Sequence, residues 1–309
     1  MRIHATVAAV SGALVLSAFV VPSAHAADSA HSSYRAAVAK VQEAARAASG
    51  RTVFTGSTGA VDGVPYDLDA NFSDIKVNGG KAIAVGTTKH VTVPVTYTLT
   101  HGADVDITAD DFLNGPYLYK GSFDAPDNSL FGDAPGTCTP TSATVASCKG
   151  DIDIYPADPD WELLNSDAGA WKAAGLAIAY NGEDTDPSKV GVADQGGFIS
   201  PNIQRYSKLT ANAAPEPVKK GKTVTVIGKL SRANWEDNAY HGYTGQSVQL
   251  EFRKNNSSTY TSVKTIKTDS KGNLKTTTTA KVDGYFRYRF AGTSTTPPVN
   301  ATSDYVDVR

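Results

Sequence analysis

From Val91 to Thr100 the chain alternates without a break: Val91, Val93, Val95, Tyr97 and Leu99 are apolar, and the residues between them are Thr or Pro. Successive side chains of a strand point to opposite faces, so this run buries one face and leaves the other polar. A helix cannot use the pattern, because its apolar positions return every three or four residues. Pro94 has no N–H to offer a ladder, which places the strand at a sheet edge or beside a bulge. A chain of 309 residues with one Met, 14 Tyr and many Val and Thr suits the same sheet-based reading.

Other strands of the first half are expected at Thr52 to Thr55, Tyr66 to Val77, Lys81 to Val85, Val105 to Thr108, Pro116 to Phe123, Thr144 to Tyr155 and Leu176 to Tyr180. Between Ser32 and Ser49, Val38, Val41 and Ala45 recur at helical spacing ahead of Gly50, predicting one short helix with a thin apolar stripe. Asp167 to Ala174, with Trp171, hints at a further helical turn. The second half divides into Lys208 to Ala213, Thr223 to Leu230, Ser247 to Arg253, Tyr260 to Lys267, Asn273 to Lys281, Tyr285 to Ala291 and Ser303 to Val308. Seven strands in about 100 residues suggest an immunoglobulin-like sandwich, here without a cysteine and held by packing alone.

The expected architecture is all-β: a leader at 1–26, an Ala-rich helical segment at 27–50, an acidic β-sandwich-like domain at 51–206 and a basic seven-stranded immunoglobulin-like sandwich at 207–309. Charge marks the division. Residues 28–207 carry a net −11 and residues 208–309 a net +8, while the whole chain is near neutral at −2. Pro215 and Pro217 stiffen the stretch just beyond the boundary, placed near Tyr206.

The leader reads as a signal peptide, with Arg2, an apolar stretch from Val7 to Val21 and small residues at Ala24 and Ala26. That stretch is shorter than the ~20 residues that span a bilayer, so the product is expected outside the cell with no transmembrane segment in its mature part. Cys138 and Cys148, the only cysteines, enclose nine residues in a chain bound for an oxidising compartment, and a disulfide is expected between them.

The search for chemistry returns few motifs. The sequence has no Gly-x-Ser-x-Gly elbow, no His-Glu-x-x-His helix and no dinucleotide fingerprint. His90 and His101 flank the best strand and read as exposed turn residues, and no nucleic-acid motif accompanies the basic half. The carboxylates stand out. Asp104, Asp106, Asp110 and Asp111 crowd one stretch, and alternate residues Asp104 and Asp106 project together, a geometry that suits calcium, whose ligands are oxygens. Further clusters are Asp151, Asp153, Asp158, Asp160 with Glu162, and Glu183, Asp184 with Asp186. The competing reading makes all of them solvent-face or turn residues. Trp235, Tyr240, His241 and Tyr243 mark a long loop that either stacks on sugars or closes the end of a sandwich core.

Several phrases carry a resemblance: Ala-Pro-Glu-Pro-Val-Lys-Lys-Gly-Lys-Thr-Val-Thr-Val at 214–226, Phe290-Ala291-Gly292-Thr293, the run from His101 to Thr108, and Gly115-Pro116-Tyr117-Leu118-Tyr119. Here the chain resembles two-domain exported actinobacterial β-proteins that end in an immunoglobulin-like module. Such proteins are often described as calcium-binding, so the resemblance implies calcium without identifying ligands. The function expected is a secreted, non-enzymatic structural or adhesive protein that binds calcium. The alternative is a module that binds an anionic cell-wall polymer or polysaccharide, and an enzyme of unrecognised type ranks third.

Overall fold

The computed structural model describes residues 34–41, 65–157, 163–183 and 186–309. The expected leader, the strand at Thr52 to Thr55 and most of the Ala-rich segment lie outside the described residues, but 34–41 form a helix, α1. In chain order the first half contributes β1 (Tyr66–Asp67), β2 (Ala70–Val77), β3 (Ile83–Val85), β4 (Val91–His101), β5 (Phe112–Gly121), β6 (Pro126–Phe131), β7 (Thr137–Pro140), β8 (Val145–Ile154), β9 (Lys172–Ala179), β10 (Gly191–Ile199) and β11 (Ile203–Arg205). The second half adds β12 (Ser207–Leu209), β13 (Asn212–Ala214), β14 (Thr223–Asn234), β15 (Ala239–Gly242), β16 (Ser247–Lys254), β17 (Thr261–Lys267), β18 (Asn273–Thr279), β19 (Gly284–Phe290), β20 (Val299–Asn300) and β21 (Asp304–Val306). The described residues are all-β apart from α1 and short 3₁₀ turns.

Two sheets, ordered β1-β10-β9-β5-β6 and β2-β4-β8-β7, face each other in the first sandwich. The alternation of β4 closes them, because Val93, Val95, Tyr97 and Leu99 are buried in one apolar cluster with Ile152 and Ile154 of β8. Strands β5 and β9 are buried on both faces. Their outer side is covered by α1, whose Tyr34, Val38 and Val41 pack with Leu113, Tyr117, Leu176 and Ile178. The thin stripe of α1 therefore docks firmly, with Val38 and Val41 each 1% exposed.

Three local expectations are corrected. Strand β4 is central between β2 and β8, and the irregular pairing lies in β2 between Ser73 and Lys76. Proline is tolerated because β2 stops at Val77 opposite Val95, so Pro94 has a strand neighbour only in β8. Val105 to Thr108 is a turn, since the Asp106 carboxylate accepts from the Thr108 N–H at 2.9 Å and hydroxyl at 2.6 Å, a local bond that competes with a ladder. The helical hint at Asp167 to Ala174 reduces to a 3₁₀ turn at Asn165–Asp167, after which β9 begins at Lys172.

In the second half, β12 and β13 both pair with β14, which also pairs with β18, while β16 lies between β17 and β19 and the C-terminal β20 and β21 add to β19. This two-sheet order is immunoglobulin-like. Its core holds Val224, Val226, Leu230, Val248, Leu250 and Tyr288, with the Tyr288 hydroxyl donating to the Val226 carbonyl at 2.8 Å.

The halves meet without a linker. Strand β11 runs parallel to β3, and a single residue, Tyr206, separates it from β12. The Tyr206 N–H donates to the Val85 carbonyl at 2.8 Å, and its own carbonyl accepts from the Ala233 N–H at 2.8 Å. The β14–β15 hairpin then reaches back, placing Ala233 and Trp235 in the core of the first sandwich.

Cys138 and Cys148 form a disulfide and sit directly opposite each other on β7 and β8. The bond fastens a four-residue edge strand to its neighbour. Replacing both cysteines by serine is expected to lower stability by about 2–3 kcal/mol, the loop-closure contribution of a short crosslink. Urea denaturation measures it, and an unchanged midpoint counts against that role.

Candidate functional site

The loop between β4 and β5 brings acids together. Asp104, Asp106 and Asp111 line a cleft of about 390 Å³, and Asp67 of β1 and Asp69 of the β1–β2 turn line it with them. Asp110 is exposed and is not among the residues that line the cleft. Among the described residues, no Lys, Arg or His lines this cleft. Strand β4 starts five residues after Gly86, which lies at the junction, and ends at His101, so its length puts the cleft roughly 30 Å from the junction.

Gly102 sits between two of the carboxylates. A Cβ there would lie 2.6 Å from Asp104 Oδ1 and 2.8 Å from Asp69 Oδ2, so glycine permits both to converge. Neither of these side chains has a hydrogen-bond donor among the described residues. Asp111 is different: its Oδ2 accepts from the Gly182 N–H at 2.6 Å. The Thr108 hydroxyl, followed by its N–H, holds the Asp106 carboxyl below the usual carboxylate range, so Asp106 stays ionised. Hydrogen bonds explain the places of Asp106 and Asp111, whereas Asp69 and Asp104 converge without such support.

A second cluster was not legible in the sequence. Among the described residues, His90, Asp133 and Asp153 form the group of at least three ligand-type side chains whose donor atoms all come within 4.8 Å of one another. Their oxygens are already engaged. Arg35 of α1 lies 2.8 Å from Asp133, the Tyr155 hydroxyl donates to Asp133, and Asp153 accepts from the Thr92 hydroxyl at 2.9 Å and the Asp133 N–H at 3.0 Å. His90 Nε2 is 2.8 Å from Asp153, and its ring stacks on Tyr155 at 4.1 Å. Burial and the neighbouring Asp133 push the Tyr155 hydroxyl up to about 12. With a guanidinium already supplying positive charge, this network fastens α1 to the sandwich better than it would hold a metal ion.

Other sequence candidates separate. His101 is buried at the end of β4, correcting its expected exposure, because position 101 continues the inward series. Asp153 is buried in the network, while Asp151 is exposed. Asp158, Asp160, Glu162 and Asp184 lie outside the described residues, and Glu183 and Asp186 face Lys189 at 2.8 and 3.9 Å. Trp235 is fully buried in the junction, closing the first sandwich and not its own. Its three companions do not form an open sugar platform with it. Tyr240 lies under Lys208 at 3.6 Å, Tyr243 under Arg232 at 4.0 Å, and His241 meets Asp237 at 2.6 Å.

No protein-family model matches the sequence, and no curated protein is significantly similar to it. Among solved structures, a DUF4785 family protein from Legionella pneumophila is 12% identical with a TM-score of 0.27, covering 70% of this chain and 51% of its own. The mouse nectin-like molecule 4 ectodomain is 12% identical with a TM-score of 0.20, over 79% and 65% of the two chains. Part of the N-terminal region of an enterococcal surface protein is 8% identical with a TM-score of 0.21, over 82% and 97%. This chain thus spans about half the Legionella chain, and at these TM-scores the likenesses assign neither family nor function. No helix among the described residues is long and apolar enough to cross a membrane.

Proposed function

We propose that the protein is an extracellular, non-enzymatic structural or adhesive protein whose two sandwiches act as one stiff body. The linkerless junction carries this reading: a strand of one sheet passes through one residue into the next sandwich, and Trp235 of the second half plugs the first. A body built this way transmits force between its ends with no intervening hinge. The Cys138–Cys148 disulfide supports placement in an oxidising compartment. Small-angle scattering should return one elongated particle of fixed shape; a distribution of bent forms sinks the rigid reading. Cysteines that alkylate without reduction in protein taken from its native source sink the extracellular one.

Calcium binding at the acidic cleft belongs to the same proposal. Asp69 and Asp104 offer oxygens that both approach Gly102 with no donor among the described residues, and Asp67, Asp106 and Asp111 line the same cleft, although no three of these carboxylates come within 4.8 Å of one another. Hard carboxylate oxygens suit calcium, with water completing the shell. Calcium at about 100 times its dissociation constant should add about 2.7 kcal/mol to the stability of the first sandwich. Magnesium should add less, because it keeps its water and demands tighter geometry. Calorimetry that detects no binding removes the calcium reading. Binding that survives Asp69→Asn with Asp104→Asn moves the site elsewhere.

A further inference from the structure

Strands β16 and β19 pair with Glu251 opposite Arg287, Gln249 opposite Arg289 and Arg253 opposite Tyr285. Val248, Leu250, Phe286, Tyr288 and Phe290 pack in the core, which turns the residues between them to the outside. That outer face carries three arginines, and tyrosines hold two of them in place. The Arg287 guanidinium lies 3.7 Å from the ring of Tyr260, and that of Arg253 lies 3.7 Å from the ring of Tyr285. Arg253 also donates to the Tyr260 hydroxyl at 3.1 Å and the Ser257 carbonyl at 3.0 Å, while Tyr305 packs beside Tyr285 at 5.1 Å.

Glu251 orients the rest. Its carboxylate accepts from Arg287 at 2.8 Å and lies 3.6 Å from Arg289, and its side chain is only 7% exposed although it points outward. Arg289 remains 52% exposed. Glu251 thus meets two of the three guanidinium groups, while Asp283 and Asp307 lie by Tyr305 at the rim, Asp307 being paired with Arg309 at 2.8 Å. A face that merely needed solvation would be served by mobile lysines. Stacked arginines are weakly hydrated, carry forks matched to carboxylates and have already given up much of their freedom. Arg and Tyr are also the residue types enriched where surfaces bind.

We propose that this face binds an acidic polysaccharide, with the guanidinium groups meeting carboxylates and the tyrosine rings meeting sugar faces. Arg287 and Arg289, two residues apart on one strand, present charge about 7 Å apart, so the face suits a polymer with repeating charge. The alternation of rings and cations favours a chain of charged sugars over a ring-free phosphodiester. The extracellular reading above decides for glycan over nucleic acid, and the proposal rests on it to that extent. The net −11 of the other half repels the same polymer and confines it to the basic half.

The test uses the full chain with polygalacturonate as probe, followed by calorimetry at low and high salt. Binding should appear at low salt and weaken as salt rises. Arg253→Gln with Arg289→Gln, which keeps the Arg287–Glu251 pair, should weaken it about tenfold or more. Lys229→Gln with Lys275→Gln removes the same charge from exposed positions on the other sheet and should change affinity by less than about threefold. Tyr305→Ala should weaken binding several-fold and leave the salt dependence intact. No binding by the unaltered chain, or equal losses in the two charge variants, overturns the proposal while leaving the stiff-body and calcium readings standing. Tighter binding of oligothymidylate or of a polyglycerol phosphate, lost in the same arginine variant, overturns the choice of polysaccharide.

Discussion

Trp235→Ala is expected to destabilise the first sandwich by about 3–5 kcal/mol, although Trp235 belongs to the other half of the sequence. The indole is fully buried against the cluster that contains Leu163, Trp171 and Ile203. Its Nε1–H donates to the Gly86 carbonyl at 2.9 Å, and its backbone N–H donates to the Asn165 side chain at 3.2 Å. Removing the ring opens a cavity and strips the partly buried Gly86 carbonyl of its donor, two losses that add. Arg205 does not compensate, because its Nε donates to the Ala233 carbonyl at 2.6 Å on the same hairpin. Burial, with Arg232 nearby, pulls that guanidinium down to about 10. Calorimetry should show the first sandwich melting earlier and the two halves separating into distinct transitions. A fragment of residues 207–309 should still unfold cooperatively on its own core, with Trp235 fluorescence shifted toward that of exposed indole. If the first sandwich melts unchanged in the alanine variant, the junction does not couple the halves.

The hairpin that carries Trp235 also shows where sequence reading stops. Alternation in Val91 to Leu99, in Val248 to Phe252 and in Phe286 to Phe290 is a property of the strand itself, so the buried faces of β4, β16 and β19 were legible. His101 extends the first of these series by one step, and its place inside was available from position alone; its polar type hid it. Trp235 gives no such clue. A turn rich in aromatics looks the same whether it caps its own sandwich or enters another. The acidic cleft was half legible, because Asp104, Asp106 and Asp111 share one loop while Asp69 lies 35 positions before Asp104 and joins through the pairing of β2 with β4. Asp153 lies between Ile152 and Ile154 on the face that period-2 reasoning assigns to solvent. Side chains of Arg35 and His90, distant in sequence, cover it together with Tyr155 two residues on.

That covering makes Arg35 the other residue with a large expected effect. Arg35→Met keeps the aliphatic stem that packs beneath α1 but removes the guanidinium, and it should cost about 3–5 kcal/mol, as breaking a buried ion pair from one side does. The side chains of Arg35 and Asp133 are only 5% and 11% exposed, so water does little to relieve the carboxylate left behind. The Phe131 and Asp153 carbonyls, which accept from Arg35 at 3.1 and 2.8 Å, lose that donor as well. Arg35→Met with Asp133→Asn should recover part of the loss, because the second change removes the stranded charge. The outcome separates two accounts of how a short helix stays on a sheet. If the guanidinium is the fastener, hydrogen exchange in 34–41 should accelerate more than exchange in β5 and β9 in the single variant. If Tyr34, Val38 and Val41 suffice, the single variant should lose less than about 1 kcal/mol and exchange in α1 should stay slow. The first result is expected, since an apolar stripe of three residues is small beside the charge that α1 neutralises.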